Sequence, residues 1–460
     1  MIIMIIIMMI MKFVNRKREL EILKKRITSG SFELIIILGR RRIGKTRLIL
    51  ESLRRHEYIY YLAVEGSNIR YFKTAASRLV PEVRYAMEEW ESIFAFLKDR
   101  IIVIDEFPNL IKEDPRIISI FQRIIDTQLQ GTRTKLILCG SSISMMKDRV
   151  LSHKSPLYGR RTSTLRLRPL RFPDIRGFFP SSSWEELVEI YGFADGLPYY
   201  LKRVETPFWS WLGRELKSPD TFLKEEIDFL LKYEFTDPST YRRILEAIAH
   251  GKNTPKEIRE YTGLGHADLT PYLRNLMDVE LVVREVPITE KWSSKRGRYF
   301  LSDNFLNFWF RFVGPNLSLI EEGLFDIDAI KRDYSHYLGP IFEKVAREVV
   351  LELIRRGKLD MKVTRLGKWW WRGEEIDLVL VDDQGKRALL VEAKWSDLSS
   401  RSLRRIIKEL IRKGELLLEG YDKEYLVIER RAEEVDGAMV LDLRSFDEIF
   451  GSPNVSESAI

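Results

Sequence analysis

The sequence predicts an α/β fold that opens with a parallel sheet and ends with a second α/β domain. Between Glu33 and Arg171, short β-rich segments alternate with amphipathic helical segments, a pattern typical of parallel sheets with right-handed crossovers. From about Ser182 to Tyr233 the pattern is wholly helical. After about Arg332, a predicted helix over Pro340–Arg355 precedes two strands of alternating apolar and polar residues. We therefore expect a sheet domain, a helical segment and a separate C-terminal domain.

The composition is that of a soluble, globular protein. The chain has 460 residues, of which 45% are apolar and 31% are charged, and this length allows about three domains with cores of their own. Lys and Arg outnumber Asp and Glu by 76 to 68, which permits a polyanionic partner without requiring one. The single cysteine, Cys139, excludes a disulfide framework and a cysteine-based metal site. We expect a cytoplasmic protein.

The N-terminal segment Met1–Met11 is almost wholly Ile and Met. It is shorter than the roughly 20 residues needed to span a membrane, and it lacks the basic region and cleavage site of a signal peptide. We predict no membrane partner and expect the natural chain to begin at Met11. The alternative is an additional edge strand or a surface-bound tail.

Five segments are predicted to form the strands of the first sheet. They are Leu34–Leu38, Tyr58–Val64, Ile101–Ile104, Lys135–Cys139 and Thr164–Leu167. The first and third are continuous apolar runs, as expected for strands that are covered on both faces.

A phosphate-binding loop follows the first strand and matches the pattern G-x-x-x-x-G-K-T. Its residues are Gly39, Arg40, Arg41, Arg42, Ile43, Gly44, Lys45 and Thr46. In such a P-loop, backbone N–H groups surround phosphate oxygens at the start of a helix. Lys45 is predicted to reach the β- and γ-phosphates, and the Thr46 hydroxyl to ligate Mg²⁺. The sequence therefore predicts a P-loop NTPase that binds ATP and Mg²⁺.

The strand Ile101–Ile104 ends in two carboxylates, Asp105 and Glu106. Asp105 is predicted to hold Mg²⁺ through water, and Glu106 to polarise the attacking water, with Lys45 as the second catalytic residue. The alternative is that Asp105 is a helix N-cap. An Asp followed by a Glu favours hydrolysis of ATP over binding alone.

Three other residues are candidates near the nucleotide. Ser141 follows a strand at the carboxyl edge of the sheet, where ligands bind in such folds, and it is either a sensor of the γ-phosphate or part of a turn. Arg160 and Arg161 lie in a basic segment without acidic residues, Lys154–Arg171. They are either arginine fingers for a neighbouring subunit or part of a solvated face.

From about Asp237 to Phe312 the order of elements is helix, helix, helix, hairpin, which is the plan of a winged helix-turn-helix. Asp268–Met277 is the predicted recognition helix, and the basic loop at 292–298 is the predicted wing. The candidate DNA contacts are Arg274, Lys295, Arg296 and Arg298. Acidic residues around the helix weaken its positive charge, and docking of a protein is the alternative.

The last two alternating strands are predicted to form a hairpin with a two-residue loop, Gln384–Gly385. Asp377 then lies opposite Glu392, and Glu375 opposite Lys394, with all four side chains on one face and an apolar face on the other side. Opposed carboxylates repel each other, and a second Mg²⁺ would relieve the repulsion while Lys394 orients a hydrolytic water. The alternative is a charge-paired face exposed to solvent.

The segment from Phe13 to about Tyr233 resembles the archaeal P-loop ATPases that are related to the AAA+ and STAND classes. Phe13–Leu20 is similar to that family's F-x-N-R-x-x-E-L segment, and Asp195–Leu201 to its G-L-P motif in the lid. The resemblance implies that Arg16 lies beside the adenine and that Pro198 packs near the base. It also implies a helical lid that moves with the nucleotide state.

The C-terminal pattern of Asp377, Glu392 and Lys394 resembles the PD-(D/E)xK restriction-endonuclease-like fold. Glu343, on the preceding helix, matches the acidic residue that this fold often carries there. The same fusion of ATPase, winged helix and nuclease-like domain recurs in the archaeal family, so the resemblance spans nearly the whole chain.

Together these observations predict four domains: a P-loop core at 12–180, a helical lid at 181–236, a winged helix at 237–312 and a nuclease-like domain at 330–450. We expect a nucleotide-switched, Mg²⁺-dependent ATPase that converts ATP and water to ADP and phosphate and acts on duplex DNA. The alternative is a STAND-like signalling ATPase, whose winged helix docks a protein or a second copy of the chain and whose last domain is catalytically inert. An ATP-dependent transcription regulator is a third interpretation.

Overall fold

The computed structural model describes residues 13–265, 269–433, 435 and 437–451. The segment Met1–Met11 and the predicted helix start at Asp268 lie outside them. The chain forms two compact units. The first contains the described residues up to Pro169, with Leu197–Tyr199 and Asp278–Glu280, and the second contains the remainder. No helix in the described ranges is both long enough and apolar enough to cross a membrane.

The first unit is built on a five-stranded parallel sheet, as predicted. Its elements are α1 (Lys17–Ile27), β1 (Glu33–Leu38), α2 (Lys45–Ser52), β2 (Ile59–Leu62), α3 (Asn68–Ala76), α4 (Trp90–Phe94), β3 (Ile101–Asp105), α5 (Pro108–Glu113), α6 (Ile117–Ile124), β4 (Lys135–Gly140), α7 (Ile143–Met145) and β5 (Ser163–Arg166). The strand order is β2-β3-β4-β1-β5, so β4 lies between β1 and β3. The carboxyl ends of these three strands therefore meet at one edge of the sheet.

The buried strands explain why this sheet forms. Every residue of β1 and β4 is buried, as expected for strands with helices on both faces. On one face, an aromatic cluster of Phe72, Trp90, Phe94 and Phe121 packs between the helices, with ring centres of contacting pairs between 5.1 and 6.4 Å apart. This core holds the edge at which β1, β3 and β4 end.

The remainder of the chain is mainly helical, with two further sheets. Its elements are α8 (Trp184–Ala194), α9 (Pro198–Leu201), α10 (Phe208–Lys217), α11 (Glu226–Glu234), α12 (Ser239–Ala249), α13 (Pro255–Thr262), α14 (Leu269–Asp278), β6 (Val282–Glu285), β7 (Arg298–Leu301), α15 (Asn304–Phe308), α16 (Leu317–Glu321), α17 (Ile327–Arg355), β8 (Arg365–Trp371), β9 (Glu374–Asp382), β10 (Arg387–Asp397), α18 (Ser400–Glu415), β11 (Asp422–Arg431), β12 (Met439–Asp442) and α19 (Phe446–Phe450).

Helices α12, α13 and α14 precede the antiparallel pair β6–β7, in which Val282 lies opposite Leu301. This is the predicted order of elements. Thr254 caps α13 through a capping box with Glu257, which fixes where that helix begins. The identification of this segment as a winged helix stays a prediction.

Helix α17 differs from the prediction, which placed its start at Pro340. It begins at Ile327 and runs for 29 residues with Pro340 inside it. Its first half is stabilised by buried tyrosines: the Tyr334 hydroxyl donates to Glu189 O at 2.8 Å, and the Tyr337 hydroxyl to Gly192 O at 2.7 Å. This packing outweighs the one helical hydrogen bond that a proline removes.

The C-terminal sheet has the order β12-β11-β10-β9-β8. The predicted hairpin register is confirmed for β9 and β10, in which Asp382 lies opposite Arg387 and Leu378 opposite Val391. Its loop has four residues rather than two, because Asp382 Oδ1 accepts hydrogen bonds from the N–H groups of Gln384 and Gly385. The prediction of one apolar face was also incomplete, since α17 and α18 pack against opposite faces of the sheet.

Candidate functional site

The P-loop of the first unit joins β1 to α2 and closes on itself through Lys45. Lys45 Nζ donates to Gly39 O at 2.7 Å and to Arg40 O at 3.0 Å. Arg42 and Gly44 have φ angles of 70° and 92°, in the left-handed region that turns consecutive N–H groups towards one centre. The loop thus has the curved backbone and buried ammonium group that bind phosphates.

Asp105 lies at the end of β3, beside the start of α2. Thr46 Oγ1 donates to Asp105 Oδ2 at 2.6 Å, and the Tyr60 hydroxyl donates to the same oxygen at 2.9 Å. Burial and the charge of Asp105 hold the pKa of Tyr60 far above its usual value, so this hydroxyl stays protonated. Hydroxyl and carboxylate oxygens this close together are the donors that Mg²⁺ takes, and the predicted Mg²⁺ ligands fit that ion.

Glu106 adopts a φ of 53°, which turns the chain away from β3 directly after Asp105. Its Oε2 accepts hydrogen bonds from both groups of Ser141, the hydroxyl at 2.7 Å and the backbone N–H at 3.2 Å. Ser141 follows β4, the strand next to β3. The structure therefore brings the predicted water-polarising carboxylate and the predicted sensor together.

The residues predicted to lie beside the base contact the P-loop. The Arg16 guanidinium donates to Ile43 O at 3.0 Å and to Arg168 O at 2.8 Å. Tyr199 N–H donates to Arg42 O at 3.4 Å, and its ring centre lies 4.1 Å from the Arg42 guanidinium. Pro198 lies 3.8 Å from where a Cβ on Gly44 would be. Arg16 and Pro198 thus both lie against the loop.

The two finger candidates have neighbours within the first unit. Arg160 donates to both carboxylate oxygens of Asp126, each at 2.6 Å, and this pairing raises the pKa of Arg160. The Arg161 guanidinium lies 4.2 Å from the ring centre of Tyr158. Serving a neighbouring subunit would require Arg160 to break a bidentate ion pair, whereas Arg161 would leave its stacking contact with Tyr158.

A second polar cluster lies in the C-terminal sheet. Lys394 Nζ lies 2.8 Å from Glu392 Oε1 and 3.6 Å from Asp377 Oδ2. Lys413, from α18, lies 3.8 Å from Glu392. Asp377 also accepts the Ala393 N–H at 2.8 Å, which is where the ladder between β9 and β10 ends. The predicted trio of Asp377, Glu392 and Lys394 is therefore adjacent in space.

Glu375 was predicted to face Lys394, and this was wrong. It pairs with Trp370 of β8 in the sheet, and its carboxylate accepts a hydrogen bond from Arg298 at 3.0 Å. The pairing of β9 with β10 runs from the loop to Leu378 and Val391. Residues farther from the loop, including Glu375 and Lys394, are therefore not paired with each other.

Glu343 projects from α17 near this cluster and forms an ion pair with Lys368 of β8. Burial, opposed by Lys368 and reinforced by the charge of Asp377, raises the pKa of Glu343 to about 7. Burial and Asp377 likewise raise the pKa of Glu392, whose Oε2 is buried without a hydrogen-bond partner in the described part of the chain. One carboxylate oxygen is thus left for a further ligand.

Comparison with known proteins assigns the chain to a family. Residues 13–204 match the model of an ATPase domain found predominantly in Archaea, and residues 309–406 match archaeal and bacterial proteins of unknown function. An uncharacterized protein of Methanocaldococcus jannaschii is 54% identical over 437 residues, which cover 94% of this chain and all of that protein. The chain belongs to the predominantly archaeal ATPase-domain family.

Other relatives of this archaeal ATPase-domain protein support the same fold. An uncharacterized ATP-binding protein of the same organism is 52% identical over 44 residues, 10% of this chain and 75% of that protein. A solved Walker-type ATPase of Pyrococcus abyssi has a TM-score of 0.52 and 19% identity, and the match covers 65% of this chain and 96% of that structure. At this identity the likeness shows a shared P-loop α/β fold.

The predicted DNA contacts of the archaeal ATPase-domain protein have different surroundings. Arg274 and Lys295 are exposed. Arg296 forms an ion pair with Glu290, and its guanidinium lies 3.4 Å from the ring centre of Trp371. Arg298 pairs with Glu375 and lies 4.7 Å from the ring centre of Trp370. Two of the four candidates are therefore held against the C-terminal sheet.

Sequence reasoning missed three residues of these sites. Tyr60 contacts Asp105 because β2 is the neighbour of β3, and the sequence does not give strand order. Lys368 and Lys413 reach the C-terminal carboxylates from β8 and α18. No metal-binding group of three or more His, Cys, Asp or Glu residues occurs in the ranges that the structure describes, so the second Mg²⁺ lacks support from such a group.

Proposed function

We propose that this chain binds ATP with Mg²⁺ and hydrolyses it to ADP and phosphate. The observation that carries the proposal is the contact between four functional groups at one sheet edge: Thr46 with Asp105 at 2.6 Å, and Ser141 with Glu106 at 2.7 Å. Lys45 lies on the same loop as Thr46. Together these groups could bind phosphate, bind the metal and activate a water, which are the three tasks of ATP hydrolysis.

Each residue has a role that follows from its position. Lys45 is already buried at the loop and exchanges its carbonyl partners for phosphate oxygens. Thr46 and Asp105 would hold Mg²⁺ as oxygen donors, and the bound ion would supply positive charge beside the phosphates. Glu106 orients a water and accepts its proton, while the Ser141 hydroxyl fixes the direction of that carboxylate.

The test is steady-state hydrolysis by the full chain, with Glu106→Gln and Lys45→Ala compared with wild type. Loss of a general base lowers the rate by about 10²- to 10⁴-fold, so Glu106→Gln should bind a fluorescent ATP analogue but turn over at least about 100-fold more slowly. Lys45→Ala should lose binding itself. Hydrolysis by Glu106→Gln at the wild-type rate would refute the assignment.

We further propose that nucleotide state changes the lid. The G-L-P motif lies on the division between the two compact units, since Gly196 belongs to the second and Leu197–Tyr199 to the first. Tyr199 contacts the P-loop at Arg42 within the first unit, which supports a coupling between this motif and the nucleotide. This proposal includes the predicted division of the chain into four domains, of which the lid is the second. Identical protease sensitivity with ATP, ADP and no nucleotide would contradict it.

For the C-terminal domain, we propose Mg²⁺-dependent action on duplex DNA at Asp377, Glu392 and Lys394. The buried, unpartnered Oε2 of Glu392 fits a cation ligand, and Asp377 lies beside it. Mg²⁺ would supply the charge that activates a water, and Lys394 would orient that water. Glu343 belongs to the same cluster.

A specific observation favours the alternative, an inert adaptor in a signalling ATPase. Lys394 and Lys413 already lie near Glu392, and Lys368 pairs with Glu343, so lysines compensate the carboxylates without a metal. Cleavage of plasmid DNA decides between the two. Cleavage that needs Mg²⁺ and is abolished by Asp377→Ala supports the nuclease, and its absence in an active ATPase supports the adaptor.

A further inference from the structure

Helix α18 presents a basic stripe to solvent. At about 100° per residue, Leu403, Ile407, Leu410 and Gly414 fall on one side of the helix, and all four are buried. Opposite them lie the members of the stripe. They are Arg401, Arg404, Arg405 and Lys408, and all are exposed. The spacing places four cations within about a third of the helix surface.

The acidic residue nearest to the stripe in sequence, Glu409, pairs with Arg412 and with no member of the stripe in the described part of the chain. Among the residues that the structure describes, no Asp or Glu carboxylate forms an ion pair with any of its four members. The next basic residue along the helix behaves differently, since Arg412 pairs with Glu374 at 2.7 Å and with Glu409 at 2.9 Å. Like charges three and four residues apart repel each other and destabilise a helix, and a polyanion would relieve this repulsion.

The dimensions of the stripe fit a nucleic-acid backbone. Arg401 and Lys408 are seven residues apart, which is about 10 Å along a helix at 1.5 Å per residue. Duplex DNA carries one phosphate charge per about 1.7 Å of its axis with both strands counted, so a duplex segment of this length contains about six phosphates. A protein partner would instead require apolar or aromatic anchors in the contact, and the stripe contains none.

We propose that the stripe of α18 binds the phosphate backbone of duplex DNA without reading its sequence. The inference depends on the proposed action on DNA, and it assigns the DNA contact to the stripe rather than to the predicted wing. Arg296 and Arg298 of the predicted wing are held by Trp371, Trp370 and Glu375, whereas the stripe requires no rearrangement.

The stripe also lies on the helix that reaches the C-terminal cluster. Lys413, at the end of α18, donates to Glu375 O at 2.7 Å and lies 3.8 Å from Glu392. A DNA backbone bound along the stripe would therefore contact the same helix that packs over Asp377 and Glu392.

The test compares two triple variants of the full chain with equal change of charge. The stripe variant is Arg401→Gln, Arg405→Gln and Lys408→Gln. The control variant is Lys24→Gln, Lys25→Gln and Lys98→Gln, which removes three exposed cations from the first unit. Glutamine is nearly as good a helix former as the residues it replaces, and circular dichroism and ATP hydrolysis verify that both variants fold.

Affinity is measured by fluorescence anisotropy with two unrelated 24-base-pair duplexes at about 50 to 300 mM KCl. This range gives the slope of log affinity against log salt concentration, which is roughly linear. Three lost phosphate contacts reduce the salt slope by about 2 to 3. The stripe variant should show this reduction, and an affinity at least about tenfold weaker at 100 mM KCl, equally for both duplexes. The control should keep the wild-type slope.

An unchanged slope in the stripe variant, with DNA binding by wild type intact, would overturn the stripe and leave the proposed action on DNA standing. Absence of DNA binding by wild type at 50 mM KCl would overturn both. Displacement of the duplex by poly-glutamate at equal charge concentration would identify an acidic protein as the partner and overturn the assignment to DNA.

Discussion

Glu343 makes the stability of the second unit depend on pH. Its carboxyl is buried beside Asp377 and Lys368, and its pKa is raised from an ordinary 4.5 to about 7. The folded protein therefore binds this proton more tightly than the unfolded chain does. Stability is complete below about pH 4.5, falls as the pH rises towards 7, and levels off above that value.

The magnitude follows from the shift. One pKa unit corresponds to about 1.36 kcal/mol, so the ionisation of Glu343 lowers the free energy of unfolding by about 3 kcal/mol across this interval. Glu343→Gln removes the titration. We expect wild type to lose about 3 kcal/mol more than Glu343→Gln between pH 4.5 and 8, whatever the offset between the two proteins at low pH.

Urea unfolding followed by tryptophan fluorescence measures this difference. Apart from Trp90, every tryptophan of the sequence lies in the second unit, so the signal reports that unit. Glu260→Gln, on an exposed turn of α13, serves as the control and should keep the wild-type dependence on pH. Other buried carboxyls, including Glu429, titrate in all three proteins and cancel in the comparison. Equal slopes for wild type and Glu343→Gln would refute the reasoning.

Two further predictions concern packing and the nucleotide site. Gly196→Ala should destabilise the second unit by about 4 kcal/mol or more, since the new Cβ would lie 1.8 Å from Leu170 O. Urea unfolding checks this, because the cooperative transition should no longer occur at the wild-type midpoint. Tyr60→Phe removes a hydrogen bond to the carboxylate of Asp105, worth about 1.5–3 kcal/mol. The neighbouring Tyr61→Phe, whose hydroxyl donates to a neutral amide, should cost about 1 kcal/mol. Equal losses in denaturation monitored by circular dichroism would contradict the distinction.

The features that the sequence predicted correctly are those encoded over short distances. The P-loop requires a strand, a fixed spacing of residues and a helix, and all three lie within Glu33–Ser52. The register of β9 and β10 follows from a turn centred on Gln384 and Gly385, and their faces follow from the alternation of side chains along each strand. In both cases the period of the local structure determines which side chains share a face.

The remaining features depend on contacts between distant parts of the chain. Tyr60 reaches Asp105 only because β2 and β3 are adjacent, and Lys368 reaches Glu343 across 25 positions. The start of α17 was missed because buried tyrosines extend the helix through Pro340. Arg296 stacks on Trp371, and no sequence motif includes both of these residues. Local periodicity contains no information about such partners.

Helix α17 also determines where this chain can be divided. Its first half supplies Tyr334 and Tyr337, whose hydroxyls bond to Glu189, Gly192 and Asn304, while its second half carries Glu343. A fragment that stops before Ile327 would expose the aromatic residues around α8, and one that starts at Arg332 would begin inside a helical turn. Cutting the chain just before the C-terminal sheet removes packing from both fragments, so each half should aggregate when produced alone.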